Sequence, residues 1–489
     1  MYLITPDRFA NGNPANDNVP GMPDPASRTG RDARHGGDIQ GISDHLDYIR
    51  DMGFTALWIN PLIENKMQQA SYHGYASTDF YKVDPRFGTN EDYRNLSKAA
   101  KKKGIKLVID MIMNHCGSSH WWMADLPTDD WLNYQQKPEI TNHSRETNQD
   151  PHASEYDKKL FADGWFVPSM PDLNQRNPLL ATYLIQNTIW WIEYADLYGI
   201  RMDTYPYPDK AFMADWSRRV MQEYPNFSMV GEEWSMNPAI IAFWQKGKQN
   251  RNGYVSYMPN MFDFPQQNAL VNALNEDDKV YNQGLMKLYQ TLALDFLYEN
   301  PNNLVVFPDN HDMSRFYTQI NEKLDRWKMG MIQLLTTRGI PQFFYGTEVL
   351  MTNPKSDRHD EIRGEMPGGW PDHTASAFTG KGLTDQQREA QQFMKQLLQW
   401  RQRTPVVHTG KLTHFAASNG IYVYFRHNAS QKIMFFMNKN SESKTLNTAH
   451  YAELLNGHKD ARNIQSGQTQ PLTQPLVVPA MSAVIWEVK

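Results

Sequence analysis

Eight short apolar runs, each separated from the next by a longer stretch, restrict the folds open to this chain more than any other feature. They lie at residues 2–5, 54–60, 105–112, 199–203, 227–232, 255–259, 304–308 and 339–345. Near-continuous apolar runs of this kind read as parallel strands covered on both faces. The stretches between them include residues 39–52, 90–103, 178–198, 209–224 and 312–338, which carry amphipathic helical periodicity. Strands alternating with helices predict an α/β fold, a (β/α)₈ TIM barrel. From about residue 115 to 174 the alternation stops. This segment is rich in Asn, Asp, Pro, Trp and His, and one so long is expected to form an inserted lid domain after the third strand. Beyond residue 403, the runs 421–427, 432–438 and 476–488 are separated by turn residues and predict a C-terminal antiparallel β-sandwich. The expected domains are a barrel from 1–115 and 175–403, an insert at 116–174, and a C-terminal domain at 404–489.

A chain of 489 residues exceeds one small core. With 40% hydrophobic and 21% charged residues it has the composition of a soluble globular protein. The net charge is -5, and the one basic run, Lys101-Lys-Lys103, is short. Both argue against nucleic acid and anionic membrane as partners. No apolar stretch reaches the length of a membrane span. Cys116 is the only cysteine, which rules out an intrachain disulfide.

Three carboxylates stand at the ends of apolar runs: Asp203, Glu232 and Asp312. In a barrel, the C-terminal ends of the strands are where chemistry is done. Taken singly, each would read as an ordinary surface acid. Together, and accompanied by Arg201, His115 and His311, they point to glycoside hydrolysis, which needs one carboxylate as acid and another as nucleophile or base. A catalytic metal is not expected, because no His-x-x-x-His spacing is present. Near the start, Asn11-Gly-Asn13-Pro-Ala-Asn16-Asp17 is followed by Gly36-Gly-Asp38. Such clustered amides, carboxylates and backbone carbonyl suit Ca²⁺; the alternative is a plain turn cluster.

These motifs resemble, in order, those of glycoside hydrolase family 13, the α-amylase superfamily. Asp110-Met-Ile-Met-Asn-His115 is similar to its first motif, and Gly199-Ile-Arg-Met-Asp203 to the second. Gly231-Glu-Glu-Trp234 is similar to the third, Phe307-Pro-Asp-Asn-His-Asp312 to the fourth, and Met170-Pro-Asp-Leu-Asn174 to the fifth. The segments Gly53-Phe-Thr-Ala-Leu-Trp-Ile-Asn-Pro61 and Gly339-Ile-Pro-Gln-Phe-Phe-Tyr-Gly-Thr-Glu348 resemble the flanking strand motifs. The resemblance implies that Asp203 is the nucleophile, Glu232 the acid/base and Asp312 a transition-state stabiliser. It implies substrate contacts from Asp110, His115, Arg201, His311 and Tyr75, the last as a stacking platform in Tyr72-His-Gly-Tyr75. Arg363, in the loop after the last strand, is expected on the donor side. The early loop is similar to the calcium loop of cyclomaltodextrinases and neopullulanases, which implies Asn11, Asn13, Asn16, Asp17, the Gly36 carbonyl and Asp38 as ligands.

Two departures matter. Where many amylases follow the nucleophile with Lys-His, this chain has Pro206-Tyr207, so contacts on the leaving-group side are expected to differ. The fifth motif has the intermediate form of cyclomaltodextrinases, neopullulanases and maltogenic amylases. Their N-terminal β-domain is not in this sequence, which leaves a homodimer and a cyclodextrin preference open. The expected activity is retaining hydrolysis of α-1,4 links in cyclodextrins, pullulan or maltooligosaccharides. The alternatives are an oligo-1,6-glucosidase, a transglycosylase, or a catalytically silent sugar-binding protein. Residues 1–7 do not read as a signal peptide. If an upstream leader has been lost, a periplasmic location is favoured; otherwise a cytoplasmic one.

Overall fold

A computed structural model describes residues 1–489, which divide into two compact units. The first unit comprises residues 1–262 and 358–382. Six parallel strands form its core: β1 (Tyr2–Ile4), β2 (Ala56–Ile59), β3 (Lys106–Met111), β4 (Gly199–Met202), β5 (Ser228–Gly231) and β6 (Asn260–Phe262). Each pairs with the next in sequence. Their residues are almost all buried, as expected where helices cover the outer face and side chains fill the inner one. Helices Asn90–Lys102, Pro178–Ala195 and Lys210–Glu223 fall where the periodicity placed them. Their starts are set by side-chain caps: a Thr89–Asp92 capping box, Asn177 before Pro178, and Asp209.

The sixth strand is displaced from its expected place at 255–259. Val255 is exposed, and Tyr254 stacks on Phe243 with ring centroids 5.0 Å apart. The strand begins instead at Asn260, whose Nδ2 donates to the Met229 carbonyl at 2.7 Å. A polar residue after Pro259 reads as a turn in sequence, while here its amide takes over a backbone acceptor. The helix expected over 39–52 is broken at His45, whose ring stacks on Phe378 at 3.5 Å.

Residues 116–174 contain one longer helix, Glu155–Asp163, and short bridges that tie the segment to its own ends. Leu173 N–H donates to the Asn114 carbonyl at 2.9 Å, and Cys116 N–H to that of Pro171 at 3.1 Å. The first and fifth motifs are thereby laid side by side. Cys116 is fully buried, and burial pushes its thiol up to about 12.

The second unit comprises residues 263–357 and 383–489. It holds β7 (Leu304–Val306) and β8 (Ile340–Pro341), parallel neighbours, with Phe343–Phe344 following. The stretch expected as one helix over 312–338 is two, Phe316–Gln319 and Leu324–Thr336. Asn321 and Glu322 between them both have left-handed backbone (φ 60° and 55°), which stops a right-handed helix. An antiparallel six-stranded sheet over residues 411–488 packs with a two-stranded sheet, Lys444–Leu446 with Leu476–Val478. Val423, Phe425, Met434 and Phe436 face Leu446, Leu476 and Val478 in its core. On the opposite face, Tyr424 bonds Thr336 of the preceding helix. Both faces are covered, so these strands read as solid apolar runs.

Candidate active site

The strand ladder fixes the two principal acids. Asp203 N–H donates to the Met111 carbonyl at 2.9 Å and Glu232 N–H to that of Met202 at 3.1 Å. Each acid therefore starts the loop just beyond its strand while its backbone is still held by the neighbour. Register pairs Asp110 with Arg201 across β3 and β4. Alternation along β4 then sends Arg201 and Asp203 to the same side.

The result is one buried guanidinium among three carboxylates. Arg201 Nη1 lies 2.8 Å from Asp110 Oδ1 and 2.7 Å from Asp203 Oδ1, and its Nη2 lies 2.7 Å from Glu232 Oε2. Burial alone would depress the Arg201 pKa. The surrounding charges of Asp110, Glu232 and Asp203 overcome it and hold the guanidinium charged well above its ordinary value. Asp110 is pushed up to about 6 by burial, against the pull of Arg201.

Tyr75 is pinned by its phenol: Asn60 Nδ2 donates to it at 2.9 Å, and it donates to Asp110 Oδ2 at 2.9 Å. Trp58 Nε1 donates to the same carboxylate oxygen at 2.9 Å. His73 shapes the loop, accepting from Tyr75 N–H at its Nδ1 (2.9 Å). Gly74 between them has φ 82°, and a Cβ there would lie 2.3 Å from the Pro61 carbonyl oxygen. His115 is buried, with Nε2 3.2 Å from the Tyr75 carbonyl and its ring 5.3 Å from that of Phe166. Burial lowers its pKa despite the nearby Asp203 charge, so the ring is neutral at pH 7.

Asp203, Glu232, Arg201, Asp110, Tyr75 and His115 are thus brought together within the first unit. Arg363, in the same unit, lies beside the Tyr72-His-Gly-Tyr75 segment: its guanidinium carbon is 5.8 Å from the Tyr72 ring, and its carbonyl accepts from Arg8 Nη1 at 3.2 Å. Asp312 and His311 lie in the second unit, beyond β7. There, Asp312 Oδ2 is 2.9 Å from His311 Nε2, and Asp312 N–H donates to Asn310 Oδ1 at 2.8 Å.

Several contributors were not evident from sequence. Glu233, next to Glu232, is fully buried; its Oε1 faces Arg145 Nε of the insert at 3.2 Å, and Trp244 Nε1 donates to its other oxygen at 2.9 Å. Burial pushes its carboxyl up to about 7. The Tyr207 phenol is 3.1 Å from His143 Nδ1, and its ring meets those of Phe161 and Phe166. The Pro206-Tyr207 segment is therefore walled by the insert. A doubled Glu and an unusual Tyr are visible in the sequence; their partners some 60 to 90 positions away are not.

The calcium candidates also gather in the first unit. Asn11 Nδ2 donates to Asp17 Oδ1 at 2.8 Å. The Oδ1 atoms of Asn11 and Asn16 are buried without a hydrogen-bond partner. Burial raises the Asp17 carboxyl. Gly36 has φ 89°, and a Cβ there would sit 2.6 Å from Asp17 Oδ1. Asp38 caps helix Ile39–Asp44, accepting from Gly41, Gly12 and Asn13 N–H at 2.6, 3.2 and 2.8 Å. Asn13 is exposed. Two orphaned amide oxygens and the half-buried Asp17 carboxylate fit a hard cation.

Comparison with known proteins identifies the family of the chain. Residues 3–467 match the family described as alpha amylase, catalytic domain. A beta/alpha-amylase of Paenibacillus polymyxa is 27% identical over 96% of this chain, which spans 36% of that protein's length. A cyclomaltodextrinase of Geobacillus thermopakistaniensis (strain MAS1) is 27% identical over 90% of this chain and 69% of its own length. The crystal structure of an α-amylase from Geobacillus thermoleovorans, complexed with acarbose, is 28% identical. It covers 100% of this chain and 97% of its own, with a TM-score of 0.79. The fold is the expected (β/α)₈ barrel followed by a C-terminal β-sandwich.

Proposed function

The chain belongs to the α-amylase family of glycoside hydrolases, and from that we propose that Asp203 and Glu232 cleave α-1,4-glucosidic bonds with retention of configuration. One observation carries the reading: both carboxylates grip the same buried guanidinium, each at 2.7 Å. Retention requires carboxyl groups about 5–5.5 Å apart, and a shared guanidinium keeps the pair at close quarters. Asp203 attacks C1 while Glu232 protonates the leaving oxygen; Glu232 then takes a proton from the incoming water, which releases the sugar. Arg201 holds the Asp203 carboxyl in place for the attack. Tyr75, its phenol fixed by Asp110 and Asn60, offers its ring to the apolar face of the sugar. For Asp312 and His311 the reading rests on their motif: hydrogen bonds to sugar hydroxyls that strengthen in the transition state.

The substrates proposed are cyclodextrins, pullulan or maltooligosaccharides, in line with relatives such as the cyclomaltodextrinase above. Asp203→Asn is expected to lower kcat by several orders of magnitude with the fold intact, read as reducing-sugar release beside circular dichroism. Equal rates would reject the nucleophile. Product profiles on β-cyclodextrin, pullulan and isomaltose test the linkage. Should isomaltose give the highest kcat/KM, the α-1,4 choice is wrong. A structural Ca²⁺ is proposed at Asn11, Asn13, Asn16, Asp17, the Gly36 carbonyl and Asp38, supported by the orphaned oxygens of Asn11 and Asn16.

A further inference from the structure

Thr204 follows the proposed nucleophile and has φ 42°, a left-handed conformation that β-branched residues rarely adopt. Strain of this kind persists only where the surroundings impose it, and here they do. The Tyr205 N–H donates to the Glu232 carbonyl at 3.0 Å and the Tyr207 N–H to that of Thr204 at 3.0 Å. A Cβ at Gly231 would lie 3.0 Å from the Tyr205 ring, so the turn is packed tightly against β5. The turn aims both polar groups of Thr204 at the acids. Its N–H donates to Glu232 Oε2 at 3.1 Å, and its hydroxyl donates to Asp203 Oδ2 at 3.1 Å. Arg201 likewise bonds both side chains.

From this arrangement, and resting on the assignment of Asp203 and Glu232 above, we infer that Thr204 is a positioning residue that selects Asp203 Oδ2 as the attacking oxygen. Oδ1 is held by the charged Arg201 Nη1 at 2.7 Å. Oδ2 is held by a neutral, longer and rotatable donor. A hydroxyl can swing away as the new bond forms; a guanidinium locked among three carboxylates cannot. In the first step, Oδ2 bonds to C1 as the C1–O bond to the leaving group breaks, and the proton of Glu232 goes to the departing oxygen. In the second, water oxygen bonds to C1, its proton passes to Glu232, and the C1–Oδ2 bond breaks. Before attack, the Thr204 hydroxyl stabilises the ionised carboxylate and fixes its plane.

Three substitutions test this, with Asp203→Asn as the reference. Thr204→Val keeps size and branching but removes the donor. It is expected to lower kcat roughly 10- to 100-fold, the worth of a hydrogen bond to a charged group, with KM little changed. The acidic limb of the kcat/KM pH profile should move to higher pH, since the ionised nucleophile loses a donor. Thr204→Ser should restore both kcat and the limb. Thr204→Gly relieves the positive φ, so it should match or exceed the wild-type melting temperature yet remain as slow as Thr204→Val. A purely structural role predicts the reverse for glycine, namely retained activity. If Thr204→Val keeps the wild-type kcat and pH profile while Asp203→Asn is dead, the inference fails and the active-site reading stands. If Asp203→Asn is itself active, the reading beneath it fails.

Discussion

One guanidinium serves three acids, so when all are ionised the Arg201 cluster carries a net negative charge. Asp110 in this cluster is pushed up to about 6 by burial. Removing one partner from such a buried set leaves charge uncompensated. Glu233, next to Glu232 in sequence, supplies a clean test through stability. Its folded-state pKa of about 7 lies above the ordinary Glu value. The folded protein therefore holds that proton over a range where the unfolded chain has released it. The stabilisation is complete below about pH 4.3 and is lost as pH rises through about 7. Glu233→Gln cannot ionise, so its melting temperature should improve relative to wild type between pH 5 and pH 8, measured by calorimetry. A gap that stays constant across that range would show that Glu233 titrates normally. Asp203, Glu232 and Arg201 stood out as residues because they lie in motifs at strand ends, and Tyr75 because its loop resembles a family motif. The Thr204 turn was not, because a positive φ at threonine contradicts local preference and is imposed by packing around Tyr205.

At the scale of elements, the Tyr75 loop hangs on Gly74. With φ 82° and a carbonyl 2.3 Å from where a Cβ would be, Gly74→Ala meets both strain and collision. It should destabilise the protein by at least ~1 kcal/mol. It should also lower kcat/KM more than an equally destabilising substitution remote from the site, because the ring platform shifts. Parallel activity losses in both variants would deny Tyr75 that role. Strand positions were readable wherever both faces are buried, as in β2 to β5. They failed at β6, where Asn260 enters the ladder with a polar side chain. Helices were readable from their amphipathic periodicity. The breaks at His45 and at Asn321-Glu322 escaped notice because ring stacking and a left-handed pair leave no mark on hydrophobic periodicity.

For the molecule as a whole, the net charge is -5 and no helix is long and apolar enough to cross a membrane. Ion binding to the folded form alone stabilises it by about 2.7 kcal/mol at a hundred times the dissociation constant. Chelation is therefore expected to lower the melting temperature and added Ca²⁺ to restore it, with Asp17→Asn abolishing the response. A melting curve indifferent to both would leave Asn11 and Asn16 as residues of an ordinary turn cluster. The barrel and β-sandwich could be foreseen because alternation and turn spacing extend over the whole chain. The pairings that build the site join residues far apart in sequence, such as Arg145 with Glu233, and only folding discloses them.

Cys116 has a practical consequence. With zero solvent access and a thiol pushed up to about 12, the native sulfur is out of reach of maleimides. A single cysteine engineered onto the outside would thus be the sole reactive handle. Dyes, spin labels or surface tethers can be attached one per molecule without first deleting the natural one.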